Sequence, residues 1–214
     1  HPINIAELLP SQISGDGGAA SQREWSELLA KIVFEGQVSM QDRLRTLCTE
    51  FKRVFAESVR AQAAHVPPMT LEIDADKLRQ AGGRSRAPRP QSQEKLAELK
   101  KMVEELLKLG VIRVSTSDTT SQVLLVAKKG TTKLRFCIDY RAINDAMLSP
   151  ETWPIPNIKE MLERLGAKKP KFFGVMDLTS GYHQTPLSES AKKWTAFVTA
   201  FGQFEWNRVA MGLT

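Results

Sequence analysis

Cysteine is nearly absent from this chain: two occur, Cys48 and Cys137, far apart and without a partnering spacing. That excludes a zinc site built from cysteine alone and argues against a disulfide framework. It fits a reducing, intracellular compartment. Long apolar runs are missing too. No stretch approaches the roughly 18 uninterrupted apolar residues of a membrane span. The first residues, HPINIAELLP, show no basic region followed by an apolar one, so no signal peptide is visible. No initiator Met stands at position 1, as expected of a chain that begins inside a longer product. Repeats at solenoid periods are absent.

What remains is an ordinary globular composition. The chain has 214 residues, 42% of them apolar and 25% charged, enough for one or two domains with a buried core. Net charge is +6 and the isoelectric point near 9.4, a balance compatible with a polyanionic partner. The excess is local. Between Ser121 and Arg141 stand Lys128, Lys129, Lys133, Arg135 and Arg141 against one acid, Asp139.

Three stretches divide the chain. Residues 1–63 read as a helical extension. Its opening 22 residues form a flexible lead-in with Gly-Asp-Gly-Gly at 15–18. Two amphipathic helices follow, one using Trp25, Leu28, Leu29, Ile32 and Val33, the other Leu44, Leu47, Phe51, Val54 and Phe55. Residues 64–93 read as a linker rich in Pro, Gly and Arg, with room for one short strand at 70–74. Residues 94–214 carry the informative patterns. A helix is expected over Glu94–Leu109, capped by Ser92 and ended by Gly110. QVLLVAK (122–128) and KLRFCID (133–139) read as a hairpin around Lys129-Gly130-Thr131-Thr132. Beyond an extended Trp153-Pro154-Ile155-Pro156, a helix is expected over 157–165, ending at Gly166. A strand follows at Lys171–Leu178, then a tight connection or short helix over 180–186. Two more strands are expected at 195–198 and 204–208.

Asp177 is the sharpest chemical candidate. An acid at the end of an apolar strand can present rigid oxygen ligands to a hard cation, or cap the following turn through its backbone amides. Gly181 permits close backbone approach. Tyr182 puts a flat ring near the carboxylate, either to pack under a nucleotide sugar or as a core aromatic with its hydroxyl satisfied. His183 has no Ser, Cys or second His beside it and reads as a neutral, packed histidine. Lys128 and Arg135, on paired strands, can share one side of the hairpin tip. There they suit triphosphate oxygens or simply protect an edge strand by charge.

The ordered run LLKLGVIRVSTS, QVLLVAKKGTTKLRFCIDYRAIN and WPIPNIKEMLERLGAKKPKFFGVMDLTSGYHQTPLSESAKKWTAFVTAFGQFEWNRVAMGLT resembles the fingers and first palm segment of a reverse transcriptase of the gypsy class of retrotransposons. The resemblance covers residues 94–214, with LRFCIDYRAIN, MDLTSGYHQ and TAFVT its specific parts. It implies an α+β fold, a right-hand polymerase fingers domain with a partial, ferredoxin-like palm sheet. By resemblance Asp177 is the first metal-binding aspartate and the Leu178 backbone carbonyl a further metal contact. Tyr182 is the aromatic gate favouring deoxynucleotides, Gly181 the small residue beside it, and Lys128 and Arg135 the cations on the triphosphate. Asp139 and Arg141 match a structural or template-side finger position. Two departures stand out. Asp118-Thr119-Thr120-Ser121-Gln122 replaces a proline-containing loop, and Val209-Ala210-Met211-Gly212-Leu213 replaces Met-Pro-Phe-Gly-Leu, a change expected to loosen that turn.

The resemblance implies an RNA-directed DNA polymerase using Mg²⁺, with Mn²⁺ as a substitute. Its partners would be an RNA template, a DNA primer–template duplex, deoxynucleoside triphosphates and the rest of a retroelement polyprotein, in a cytoplasmic particle or the nucleus. The family's Asp-Asp pair is not among these residues, so the chain is expected to be inactive alone and marginally stable. The alternatives are a non-catalytic nucleic-acid-binding remnant and a structural interaction module built on the helices within 23–60.

Overall fold

The computed structural model describes residues 22–55, 62–81, 87–131, 133–148, 154–171, 173, 175 and 177–213. Residues 1–21 of the expected lead-in lie outside them, as does Trp153.

Helix α4 (Gln93–Lys108) anchors the core. Ser92 accepts a hydrogen bond from the Lys95 amide at its N-terminus, and Gly110 takes φ 63° just beyond its C-terminus. Its apolar stripe buries Leu99, Val103 and Leu107. These side chains pack on a five-stranded sheet in the order β1-β5-β4-β2-β3: β1 Ile112–Val114, β2 Ser121–Ala127, β3 Leu134–Ile138, β4 Phe197–Thr199 and β5 Gly202–Trp206. All pairings are antiparallel except β2 with β4. Phe197 and Phe204 face each other across β4 and β5, with no exposed area on either, and sit with Phe136 and Trp206 in one aromatic cluster. One ion pair closes the β1 edge: the nearly buried Glu205 carboxylate accepts from Arg113 Nε at 2.7 Å and Ser115 Oγ at 2.6 Å. The short helices α3 (Ala75–Gln80), α5 (Arg141–Asp145) and α7 (Glu189–Lys192) pack around this unit.

The hairpin, the α4 helix and the short connection after Asp177 lie where the pattern puts them. Two expectations do not hold. The supposed linker is structured over its first half. Leu71 and Leu78 join the core, and bridges link Met69 to Leu187 and Ile73 to Met147. Isolated apolar residues without a clear period hide this. Helix α6 (Ile158–Lys168) runs through Gly166 and ends at Lys169, in a left-handed conformation with φ 44°. Nothing packs close to Gly166 to stop it. Of the strand expected at 171–178, residues 172, 174 and 176 lie outside the described residues; the described ones, Lys171, Phe173, Val175, Asp177 and Leu178, are assigned to no strand. Val175 is 95% exposed.

Near the N-terminus, α1 (Gln22–Lys31) and α2 (Val38–Glu50) form in the expected stretches but end before Ile32 and Val33 and before Phe51, Val54 and Phe55. Trp25 is buried against Phe55, with ring centroids 5.6 Å apart. Helix α2 itself buries nothing.

Candidate functional site

The β2–β3 register sets the basic surface. Val126 pairs with Arg135, and the Lys128 amide donates to the Lys133 carbonyl at the tip. Gly130, at φ 75°, makes the turn. Alternation then puts Lys128, Lys133 and Arg135 on one face, opposite the core-facing Val123, Leu125, Phe136 and Ile138. All three cations are exposed, and none has an ion-pair partner among the described residues. Lys133 is not one of the candidates that the motifs name; period-2 alternation finds it. At the base of the same face the Arg141 guanidinium grips Asp139 with two bonds, 2.8 and 2.7 Å. These bonds hold the Asp139 carboxyl below the usual carboxylate range. Arg89, anchored through its amide to Gln122 Oε1, lies 4.0 Å from Asp139.

Asp177 and Leu178 are exposed and precede a 3-10 turn, Gly181–Gln184. Asp177 has no hydrogen-bond or ion-pair partner among the described residues. No side chain caps the turn, which removes the capping reading of Asp177. Tyr182 is 57% exposed and is therefore not a core aromatic. A Cβ on Gly181 would stand 3.3 Å from the Leu178 Cβ, so this glycine keeps the turn close to Leu178.

His183 is packed, as its sequence context suggests. It stacks on Trp206 at 4.8 Å and 15°, and burial pulls its pKa below the ordinary value. It also lines a cavity of about 430 Å³ with Ser180, Trp206, Phe136, Ile138 and Met211. The turn after Asp177 therefore shares a cavity with the core face of the hairpin, while the cations occupy the other face. No hydrogen bond or ion pair joins Asp177 to those cations among the described residues. The Val209–Leu213 segment is not loosened by its missing proline. Val209 and Ala210 are buried, the Val209 amide donates to the Thr185 carbonyl, and Asn144 Nδ2 donates to the Gly212 carbonyl at 2.9 Å.

No family model matches the chain. Individual relatives do. It is 32% identical over 181 residues to the retrovirus-related Pol polyprotein of transposon 412 of Drosophila melanogaster, covering 81% of this chain and 14% of that protein. It is 40% identical over 116 residues to the Pol polyprotein of transposon gypsy from the same organism, covering 52% of this chain and 11% of that one. The structure of the native prototype foamy virus protease-reverse transcriptase superposes with a TM-score of 0.62 at 19% identity, over 89% of this chain and 24% of that one. The chain is homologous to a segment of retrotransposon Pol polyproteins and shares its fold with protease-reverse transcriptases. It has that α+β fold, and it spans less than a fifth of the curated relatives it matches. A foamy viral protease-reverse transcriptase has been solved with an RNA/DNA hybrid, and it matches at a TM-score of 0.59 and 20% identity over 89% of this chain and 24% of that one.

Proposed function

We propose that this chain is the part of an RNA-directed DNA polymerase that grips the incoming triphosphate and the nucleic-acid backbone, and that it supplies one ligand to a divalent-ion site. The observation that carries the reading is the cation face of the hairpin together with the exposed Asp177 ahead of the Gly181–Tyr182 turn, both without ion-pair partners among the described residues. Lys128 brings a point charge and Arg135 a planar fork, both suited to phosphate oxygens. Tyr182 and Gly181 bound the space beside the sugar. The polymerase relatives' RNA templates, primer duplexes and deoxynucleoside triphosphates are the partners this reading assigns.

The donor set fits one corner of a Mg²⁺ or Mn²⁺ site. Asp177 offers a carboxylate and Leu178 a carbonyl, and no group of three His, Cys, Asp or Glu that could hold an ion occurs among the described residues. When bound, such ions activate the attacking hydroxyl and stabilise the leaving pyrophosphate. Two ions need more carboxylates than Asp177, so the chain by itself binds without extending a primer.

Two measurements test this. On poly(rA)/oligo(dT) with Mg²⁺ or Mn²⁺ the chain incorporates no dTTP; incorporation that Asp177→Ala abolishes would overturn the claim of inactivity. In an NMR titration, Mn²⁺ broadens the Asp177 and Leu178 amides, and Asp177→Asn removes the effect. Broadening spread evenly over surface carboxylates would refute the metal assignment.

A further inference from the structure

The turn that carries Tyr182 is held from outside. Ser180 opens it at φ 47°, ψ 49°, a left-handed conformation that a non-glycine residue keeps only where its surroundings over-determine it. The surroundings are specific. His183 Nδ1 lies 3.1 Å from the Val209 carbonyl oxygen; a carbonyl only accepts, so Nδ1 carries the proton and donates. Arg208 Nη1 donates to the His183 carbonyl at 3.2 Å. On the other side of the turn, Gln184 Nε2 donates to the Thr179 carbonyl at 3.0 Å. Behind His183, Trp206 provides a flat, nearly parallel ring. Trp206 ends β5, and Arg208 and Val209 follow closely, so a rigid strand end clamps the whole turn. Arg208 is itself buried, an expensive place for a guanidinium without a bonding task.

We propose that His183 and Arg208 are positioning residues: through the Val209 carbonyl and the His183 carbonyl they fix the Gly181–Tyr182 backbone, and with it the direction of the exposed Tyr182 ring. They touch neither substrate nor ion and act through Tyr182. The value of that placement rests on the reading of Tyr182 as the ring beside the incoming sugar. The placement itself is a property of this chain and can be measured without substrate.

The chain has two tyrosines, which makes the test direct. Tyr140 is buried and donates to the Thr195 carbonyl at 2.8 Å, so its ring signals report global folding while those of Tyr182 report the turn. In tyrosine-labelled protein, His183→Phe keeps a ring on Trp206 but loses the donor, and Tyr182 moves to random-coil shifts with Tyr140 still dispersed. His183→Asn keeps a donor at the Nδ1 position and retains most of the native Tyr182 signal. Arg208→Gln frees Tyr182, and Arg208→Lys does so less. Native Tyr182 shifts in both His183→Phe and Arg208→Gln would overturn the proposal. Should His183→Phe unfold the chain, Tyr140 reveals it and the Asn variant decides: Tyr182 held supports the donor role, Tyr182 freed overturns it. Competition binding of dATP against ATP separates the two claims. A preference for dATP that falls in His183→Phe and returns in His183→Asn supports both. Equal affinities in the native chain would remove the sugar role of Tyr182 and leave the positioning result standing.

Discussion

Helices α4 and α6 look alike in sequence and differ in fate. Both carry an apolar stripe at helical spacing, a polar N-cap and a basic last turn. Helix α4 buries Leu99, Val103 and Leu107 against the sheet. Helix α6 leaves Ile158, Met161, Leu162 and Leu165 exposed, and Phe173, Val175 and Leu178 after it are exposed as well. Periodicity names the face that wants burial but not the partner that buries it. The chain therefore has a finished half, the sheet with its hairpin and α4, and an uncovered half, residues 154–178, that leads into Asp177.

The largest contrast is in stability. Phe204→Ala, in the centre of the finished half, costs about 3–5 kcal/mol by the usual transfer and cavity terms, enough to abolish a cooperative melt in a marginal domain. Calorimetry checks this; a loss below about 1 kcal/mol, the ordinary cost of a substitution, would mean the sheet core is not what holds the chain. Next comes Glu205→Ala, which takes the acceptor from Ser115 and leaves Arg113 with Glu189 alone, 3.0 Å from its Nη2. It costs about 1–3 kcal/mol, less than a fully buried pair, because the Arg113 side chain is 43% exposed and rehydrates.

A smaller effect follows pH. Burial lowers the His183 pKa below 6.5, so the unfolded chain binds the extra proton first. The stability contributed by neutral His183 is complete above pH 6.5 and is lost as pH falls toward the folded value. Arg208 lies close and adds to the cost of a second charge. Urea midpoints at about pH 7 and about pH 5.5, on either side of the unfolded histidine value, should differ, and His183→Phe should shrink the difference; an unchanged difference would place the pH dependence elsewhere. The smallest effect belongs to the uncovered half. Leu162→Ala changes stability by no more than about 0.5 kcal/mol, and the α6 amides exchange with solvent far faster than those of α4. A loss comparable to that of Phe204→Ala would show that α6 has a packing partner after all.

Much of this was legible in the residues. The helix ahead of Gly110, the hairpin and the shared face of Lys128 and Arg135 follow from periods of about 3.6 and 2 and one glycine turn. The roles of Asp177, Tyr182 and Gly181 come from resemblance, and local chemistry leaves each open. What stayed hidden was non-local. Leu71 and Leu78 belong to the core only because β-bridges bring residues 69 and 73 beside 187 and 147. The clamp on Tyr182 joins residues 25 and 26 positions apart, which no local pattern announces.

Both halves are basic: Lys159, Arg164, Lys168 and Lys169 belong to the α6 region as Lys128, Lys133 and Arg135 belong to the hairpin. The decisive measurement is therefore a salt titration of binding to an RNA/DNA hybrid by the native chain and two double variants. Lys128→Ala/Arg135→Ala should weaken binding and reduce the slope of log K against log salt by about 0.9 for each phosphate no longer neutralised. Lys159→Ala/Arg164→Ala should leave affinity and slope close to native. Equal weakening by both double variants would contradict a dedicated phosphate-binding face on the hairpin.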